Sequence, residues 1–203
     1  RIHKFISEHD NGIYDALNKG VISSSGDFIT ILHSDDIFFD SSTVYKVAKC
    51  IKKTNKEFYF SDMLIIDLAS NKVKRYYDAS IFKQWMFRIG WMPPHPTCFI
   101  KKSLFNEYGL YSLKYKIAGD FDLFVRFFYE KKIQWSYCNI ITVKMSYGGV
   151  SNSGWHSKRL IFNEINNSLK ENNVFSLPVF QFTRYLIRFI EILKAYKYNG
   201  KRI

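Results

Sequence analysis

The strongest constraint on the fold is a short apolar run that ends in two adjacent acidic residues. The run extends from Phe28 to His33, is rich in β-branched residues, and has the length of a buried strand; Ser34-Asp35-Asp36 follows at once. In open α/β sheets, ligands gather just beyond the carboxyl ends of the strands. Two adjacent carboxylates repel each other unless a cation or donor groups compensate them. The pattern therefore predicts a strand that ends in a ligand site, with a solvated acidic turn or helix cap as the alternative.

Helix and strand patterns alternate along the rest of the chain. The predicted helices are residues 13–20, 101–108, 120–129 and 158–171, and a further helix begins at Ser41 or Ser42 and continues through residue 51. The predicted strands are residues 28–33, 58–62, 97–100 and 133–143, and residues 63–67 either continue the strand 58–62 or pair with it. Residues 90–96 contain three prolines and cannot be helical. This alternation predicts an α/β domain with a mostly parallel sheet and flanking helices.

The C-terminal residues 176–203 read as a separate basic amphipathic segment. One stripe consists of Phe182, Leu186, Phe189, Leu193 and Tyr196, and the opposite stripe of Gln181, Arg184, Arg188, Glu191 and Ala195. From Pro178 onward, six Lys and Arg stand against one Glu. Two interpretations remain open: a terminal helix packed on the domain, or a basic amphipathic helix that lies on an anionic membrane surface.

Composition narrows the class of protein. An apolar content of 47%, with 18% aromatic residues, excludes a disordered chain or a rod. The formal net charge of +12 predicts an anionic partner, but no nucleic-acid-binding motif is visible, so we expect no nucleic acid. Cys50, Cys98 and Cys138 are widely spaced and odd in number; we therefore expect no disulfide and a reducing, cytoplasmic interior.

Three further groups of residues could carry chemistry. Asp120, at a predicted helix start, could act as a general base, although an acidic first turn also complements the helix dipole and Asp122 is placed to pair with Arg126. His95 lies between two prolines, which fix its loop and make a binding role plausible beside a purely structural one. The glycine-rich residues 148–154 could close over a substrate or serve only as a linker.

Taken together, these motifs resemble the family 2 glycosyltransferases, which have the inverting nucleotide-sugar fold called GT-A, and in particular the small bacterial enzymes that build surface polysaccharides. The resemblance covers residues 3 to about 165 and rests on six stretches in the family's order and spacing. These stretches are 6–20, 26–36, 95–100, 108–111, 118–123 and 148–151. It implies a Rossmann-like domain over 1–175, with a donor and metal half at 1–75 and an acceptor half at 76–175, followed by the tail.

The resemblance also implies a role for each candidate residue. Asp36 would be the direct ligand of Mg²⁺ or Mn²⁺, Asp35 would contact the donor's ribose or sugar, and Asp120 would deprotonate the acceptor hydroxyl from the opposite side of one cleft. The donor pocket would include Asp15, Asn18 and Lys19, and the acceptor side and closing loop would include His95, Asp122, Gly149 and Ser151.

The implied reaction is a single in-line displacement, with inversion, from a nucleotide-sugar donor to a saccharide or lipid-linked acceptor. The family's N-terminal strands, which grip the nucleotide base, are absent from this sequence, so we expect weak donor binding and poor turnover by the chain alone. Two alternatives remain: a non-catalytic remnant that binds sugar phosphate or an assembly partner, and a basic module at a membrane or on nucleic acid. The expected location is the cytoplasm or the inner face of the cell membrane.

Overall fold

The computed structural model describes residues 2–67, 69–148 and 154–200 of the chain. The helices in these ranges are α1 (Ile13–Ser23), α2 (Thr43–Thr54), α3 (Lys102–Tyr108), α4 (Gly119–Val125), α5 (Gly154–Glu171) and α6 (Thr183–Gly200). The strands are β1 (Phe28–Ile29), β2 (Ile37–Phe38), β3 (Phe58–Asp67), β4 (Lys72–Tyr77), β5 (Phe99–Lys101) and β6 (Trp135–Ser146). Most of the predicted helices and strands are confirmed within a few residues.

The six strands form one sheet in the order β1-β5-β3-β6-β2, and β4 also pairs with β3. Only the β3–β6 pairing is parallel among the described strands, and the other four pairings are antiparallel. The α/β fold with flanking helices is therefore confirmed, but the prediction of a mostly parallel sheet is wrong. Four residues separate β3 from β4, and a connection this short joins only antiparallel strands.

The predicted strand at 28–33 is shorter than expected. Only Phe28 and Ile29 pair with β5, and the chain then continues without regular structure to a turn in which the Asp36 N–H donates to the His33 carbonyl at 3.1 Å. Residues 58–67 form one continuous strand, and β4 was not predicted at all. The acidic pair thus ends an irregular segment that leaves the sheet.

Aromatic side chains between β3 and α4 form the core beneath the candidate site. Phe58 contacts Phe124 and Phe128 edge-on, with ring centroids 4.9 and 5.1 Å apart. Phe121 and Val125 are buried beside them, as the helical spacing predicted. A single turn of π-helix, Arg126–Glu130, extends α4. This packing fixes the start of α4, where Asp120 lies.

Cys50 and Cys138 form a disulfide that joins α2 to β6, with Cα atoms 6.2 Å apart. The prediction of no disulfide is wrong, because α2 packs on β6 and brings together two cysteines that are 88 residues apart in sequence. Cys98 is buried and free. The cysteine argument for a reducing interior therefore no longer stands, and the cytoplasmic location stays a prediction.

The C-terminal helix α6 packs on β4 through its polar stripe. Glu191 is buried and its carboxylate lies 2.5 Å from Nε of Arg75, while the Asn199 amide exchanges two hydrogen bonds with the backbone of Val73. The apolar stripe faces outward, with Leu186 and Phe189 67% and 60% exposed. The terminal helix does pack on the domain, but among the described residues most of its apolar stripe is exposed. No helix in the described ranges is long and apolar enough to span a membrane.

Candidate active site

Asp120 lies in the first turn of α4 and lines a cavity of about 370 Å³. Burial raises the pKa of its carboxyl group to about 6, although hydrogen bonds from the Phe121 N–H and the Tyr14 hydroxyl act in the opposite direction. The same cavity is also lined by Tyr14, Leu17, His33, His95 and Lys116. A carboxylate whose pKa lies just below neutral is ionised at pH 7 and still a usable proton acceptor.

The loop that precedes Asp120 is held by a buried carboxylate on α5. The oxygens of Glu164 accept hydrogen bonds from the backbone N–H groups of Lys116, Ile117 and Ala118 at 2.8–2.9 Å. Three backbone donors on one carboxylate fix the path of the chain, and without Glu164 the Ala118 N–H would be a buried donor without this partner. Sequence reasoning missed Glu164, since no local pattern reveals a contact across 46–48 residues.

Tyr14, on α1, packs directly on the residue before Asp120. Its hydroxyl donates to the Ile117 carbonyl at 2.5 Å and lies 3.4 Å from Oδ1 of Asp120. A methyl group placed on Gly119 would meet the Tyr14 ring at 2.7–2.8 Å, so only glycine fits there without a shift. Burial and the charge of Asp120 raise the pKa of the Tyr14 hydroxyl, which keeps it a donor.

His95 is brought to the Asp120 cavity as the sequence suggested, and it is buried there. Its Nε2 lies 2.8 Å from the Tyr111 hydroxyl, and burial lowers the pKa of the imidazole to about 3. His95 is therefore neutral at physiological pH. His33, to which sequence reasoning assigned nothing, lies beside it, with ring centroids 6.2 Å apart. Its position directly before Ser34-Asp35-Asp36 is the signal that could have identified it.

Asp36 is a buried carboxylate without compensation. It is 5% exposed, and neither carboxylate oxygen has a hydrogen-bond partner among the described residues. Burial, and then the charge of Asp35, raise the pKa of its carboxyl group. No group of three His, Cys, Asp or Glu suited to a metal occurs in the described part of the chain. The arrangement fits a divalent cation that takes one carboxylate from the protein and its other oxygen ligands from water and phosphates.

Asp36 and Asp120 are connected through His33. His33 lines the Asp120 cavity, whereas the residues lining that cavity do not include Asp35 or Asp36. The His33 carbonyl accepts from the Asp36 N–H, and a charge on the His33 ring lowers the pKa of both carboxyls against the larger effect of burial. The acidic pair therefore follows closely after a residue that lines the Asp120 cavity, and a single shared cleft stays a prediction.

The three donor-side candidates on α1 separate into two environments. Lys19 contacts Glu8, Asp10 and Asp15 at 2.9, 2.8 and 3.4 Å and lines a second cavity, of about 560 Å³. Asn18 is buried, and its amide exchanges two 2.9 Å hydrogen bonds with the backbone of Tyr111. Asn18 therefore holds the segment that carries Tyr111, whereas Lys19 faces a space that a ligand could fill.

The structure does not bring Asp122 to the Asp120 cavity. Its carboxylate is buried, pairs with Nε of Arg126 at 3.1 Å, and accepts from the Ser168 hydroxyl at 2.9 Å. This is the ordinary ion pair that the spacing allowed, and the hydrogen bond from Ser168 ties α4 to α5. Gly149 and Ser151 lie outside the described residues.

Comparisons with known proteins identify relatives of this chain. The family model described as Glycosyl transferase family 2 matches residues 1–112. A PGL/p-HBAD biosynthesis glycosyltransferase of Mycobacterium bovis is 27% identical over 146 residues, which cover 71% of this chain and 55% of that protein. A glycosyltransferase of Mycobacterium tuberculosis is 30% identical over 124 residues, 59% of this chain and 45% of that protein. The chain spans about half the length of these curated relatives.

The fold is shared with a solved structure. The crystal structure of Staphylococcus aureus TarS residues 1–349 in complex with UDP-GlcNAc superposes with a TM-score of 0.51 at 16% identity, covering 80% of this chain and 49% of that one. This likeness supports the GT-A type of architecture. Because the family model covers more than half of the sequence, the chain belongs to glycosyl transferase family 2.

Proposed function

We propose that this chain transfers a sugar from a nucleotide-sugar donor to an acceptor hydroxyl, with Asp120 as the general base. The observation that carries the proposal is the Asp120 carboxyl, which lines a cavity and has its pKa raised by burial to about 6. A carboxyl group that lines a cavity, has a raised pKa and takes part in no ion pair is typical of an acid–base site. Family membership supports the same reaction class.

In the proposed reaction, Asp120 removes the proton of the acceptor hydroxyl as its oxygen attacks the anomeric carbon. The bond to the donor's diphosphate breaks in the same step, so one displacement inverts the configuration. Tyr14 and Glu164 fix the loop and the carboxylate, which supplies orientation rather than charge. His95, neutral and bonded to Tyr111, shapes the wall of the cavity.

The donor's diphosphate would lie at the end of the chain segment that carries Asp35 and Asp36. TarS was solved with UDP-GlcNAc, which supports a nucleotide-sugar donor for this fold. A bound Mg²⁺ or Mn²⁺, held by Asp36, would neutralise charge on the leaving diphosphate. Asp35 is exposed and positioned to meet the sugar or ribose, and Lys19 would meet the donor from the larger cavity.

The test of the proposal is the substitution Asp120→Asn. Release of nucleoside diphosphate from a panel that includes UDP-GlcNAc, with octyl glycosides as acceptors, should fall by about 10²–10⁴-fold. Binding of UDP, measured by calorimetry, should not change. The matched control is Asp27→Asn at an exposed position, which should keep full activity. Equal activity in the Asp120→Asn variant and the unmodified chain would exclude Asp120 as the base.

The outward stripe of α6 supports membrane association as part of the same proposal. Leu186, Phe189 and Tyr196 are 60–81% exposed, although they could have been buried on the sheet. The helix carries four Lys and Arg, and its one carboxylate, Glu191, is buried against β4. Arg184 and Arg188 lie on the opposite face and Lys194 pairs with Asp78, so the exposed apolar stripe, together with the formal net charge of +12 of the chain, carries the proposal of a helix lying in the interface of an anionic bilayer. We therefore propose that the chain associates with an anionic membrane surface, and the inner face of the cell membrane stays the expected location.

Vesicles of phosphatidylglycerol and phosphatidylcholine provide the test of membrane association. The chain should co-sediment with them, and Leu186→Glu/Phe189→Glu should abolish binding. The control Val44→Glu/Tyr45→Glu makes the same charge change at exposed apolar positions on α2 and should leave binding intact. A stable lipid-free dimer that the α6 variant dissociates would instead identify this face as a contact between two copies.

A further inference from the structure

A third cavity, of about 290 Å³, lies between α6, α5 and β4, outside the Asp120 site and apart from the cavity that Lys19 lines. Its charged lining consists of Arg75, Lys158, Arg184, Arg188 and Glu191. These are four cations and one carboxylate, and that carboxylate is already paired with Nε of Arg75 at 2.5 Å. The cavity therefore holds an excess of positive charge in a partly enclosed space.

Several cations share this lining with one carboxylate, which favours an anion in the cavity. Burial lowers the pKa of the Arg188 guanidinium, the charge of Arg75 lowers it further, and the charge of Glu191 acts in the opposite direction. Arg184 reaches the same space, since its guanidinium lies 3.5 Å from the position of a methyl group built on Gly90. Guanidinium groups grouped in this way match the oxygens of a phosphate, which can accept two parallel hydrogen bonds from each fork.

The remaining lining is apolar and aromatic. Met63, Ile65 and Met145 come from the central strands, and Trp91 and Tyr185 close the sides. An inorganic ion would leave this surface exposed to water, whereas an anionic group on an apolar or sugar body would cover it. The lining thus selects an ester of phosphate rather than a free ion.

The cavity is adjacent to the candidate base. Trp91 lines this cavity and His95 lines the Asp120 site, four residues further along the same loop. Tyr77 also lines this cavity, and its hydroxyl donates a hydrogen bond of 2.8 Å to the Met92 carbonyl in that loop. Burial raises the pKa of Tyr77, and the charges of Glu191 and Asp120 raise it further, so this side chain lies within electrostatic reach of both sites.

We propose that this cavity binds a phosphate ester carried by the acceptor, so that the acceptor is a phosphorylated amphiphile or sugar held beside Asp120. The inference rests on the proposed function, because it assigns the donor's diphosphate to the Asp35–Asp36 end and leaves this cavity to the acceptor. The position of α6 agrees with it: one face of the helix contributes Arg184 and Arg188, and the other is the exposed apolar stripe.

The test uses octyl phosphate, a soluble phosphate ester, with calorimetry on the full chain. The variant Arg184→Gln/Arg188→Gln removes two cations but keeps the Arg75–Glu191 pair. Its affinity for octyl phosphate should fall by about tenfold or more, the effect of losing a charge-assisted hydrogen bond. The matched control Lys52→Gln/Lys53→Gln makes the same charge change on the exposed end of α2 and should keep the affinity. Thermal melts of both variants establish that each is folded.

Three outcomes would overturn the inference. These are equal affinity in the Arg184→Gln/Arg188→Gln variant and the unmodified chain, an equal loss in the lysine control, and a loss seen only with phosphatidylglycerol vesicles. The last result would make the cavity a lipid headgroup site and not an acceptor site. Octyl phosphate binding should survive in Asp120→Asn, which separates the two proposals. If the Asp120→Asn protein is active and still binds octyl phosphate, Asp120 is not the base, and the proposal for the cavity stands.

Discussion

The ring of Tyr14 lies so close to Gly119 that a methyl group on that glycine would meet ring carbons at 2.7–2.8 Å. Tyr14 is buried and its hydroxyl is tied to the Ile117 carbonyl, so the ring cannot move aside freely. This contact joins α1 to the start of α4. It sets the position of Asp120, the next residue along the chain.

Gly119→Ala should therefore impair both stability and transfer. Overpacking of this kind destabilises a protein by about 1–3 kcal/mol, and a small displacement of the base should lower kcat by about 10–100-fold. Thermal unfolding and initial rates provide the measurement. In the control Gly26→Ala, the new methyl group meets only the Phe28 carbonyl at 3.5 Å, an ordinary contact. Wild-type behaviour of Gly119→Ala would show that the Tyr14 contact does not position Asp120.

Glu164→Gln tests the support of the loop that precedes Asp120. The glutamine amide keeps one oxygen that can accept, but its NH₂ group replaces the second carboxylate oxygen. That NH₂ group is a donor and faces backbone N–H groups that are donors too. We expect a loss of about 1–3 kcal/mol in unfolding free energy and a fall in kcat with an unchanged KM for the donor. The exposed Glu107→Gln is the control. If stability falls and kcat does not, Glu164 supports the fold without positioning Asp120.

The raised pKa of Asp120 also makes stability depend on pH. Its carboxyl has a folded pKa of about 6 against a reference value of 3.8, so its contribution to stability is fully present below pH 3.8 and is lost as the pH rises through 6. Relative to the unmodified chain, Asp120→Asn should gain stability between pH 4 and pH 6 and keep that gain above pH 6. Denaturant unfolding at several pH values measures the difference. Parallel stability curves for the two proteins would contradict a buried, perturbed Asp120.

The disulfide between Cys50 and Cys138 should contribute measurably to stability. It closes a loop of 88 residues, and loss of such a cross-link typically costs about 2–5 kcal/mol. Reduction should lower the melting temperature of the chain, and Cys50→Ser/Cys138→Ser should melt at the reduced value under both conditions. The variant Cys98→Ser serves as a control for the free cysteine. A melting temperature insensitive to reductant would mean that the pair is not oxidised in solution.

Local patterns in the sequence predicted the helices and the main strands because their periodicity is decided within a few residues. The buried face of α4, with Phe121, Phe124 and Phe128, follows from spacing alone. The direction of the strands did not follow, since β4 was not recognised and its short connection to β3 determines an antiparallel pair. The disulfide was missed for a related reason, as nothing local indicates that α2 packs on β6.

The tail shows the limit of amphipathic patterns most clearly. Spacing identified which residues share a stripe, but not which stripe meets the domain. That choice depends on Arg75 and Val73, more than 100 residues earlier, which pair with Glu191 and Asn199. Sequence reasoning proposed the acidic pair and Asp120, whose roles stay predictions, whereas it did not identify Tyr14, His33 or Glu164, which meet the Asp120 region through non-local contacts.

The most direct test of the account is the pH dependence of kcat/KM for sugar transfer. Asp120 must be ionised to accept the acceptor's proton, and its pKa in the free protein is about 6. The account predicts that kcat/KM rises about tenfold per pH unit below pH 6 and levels off above it. A profile that stays flat from pH 5 through neutrality would contradict Asp120 as the catalytic base.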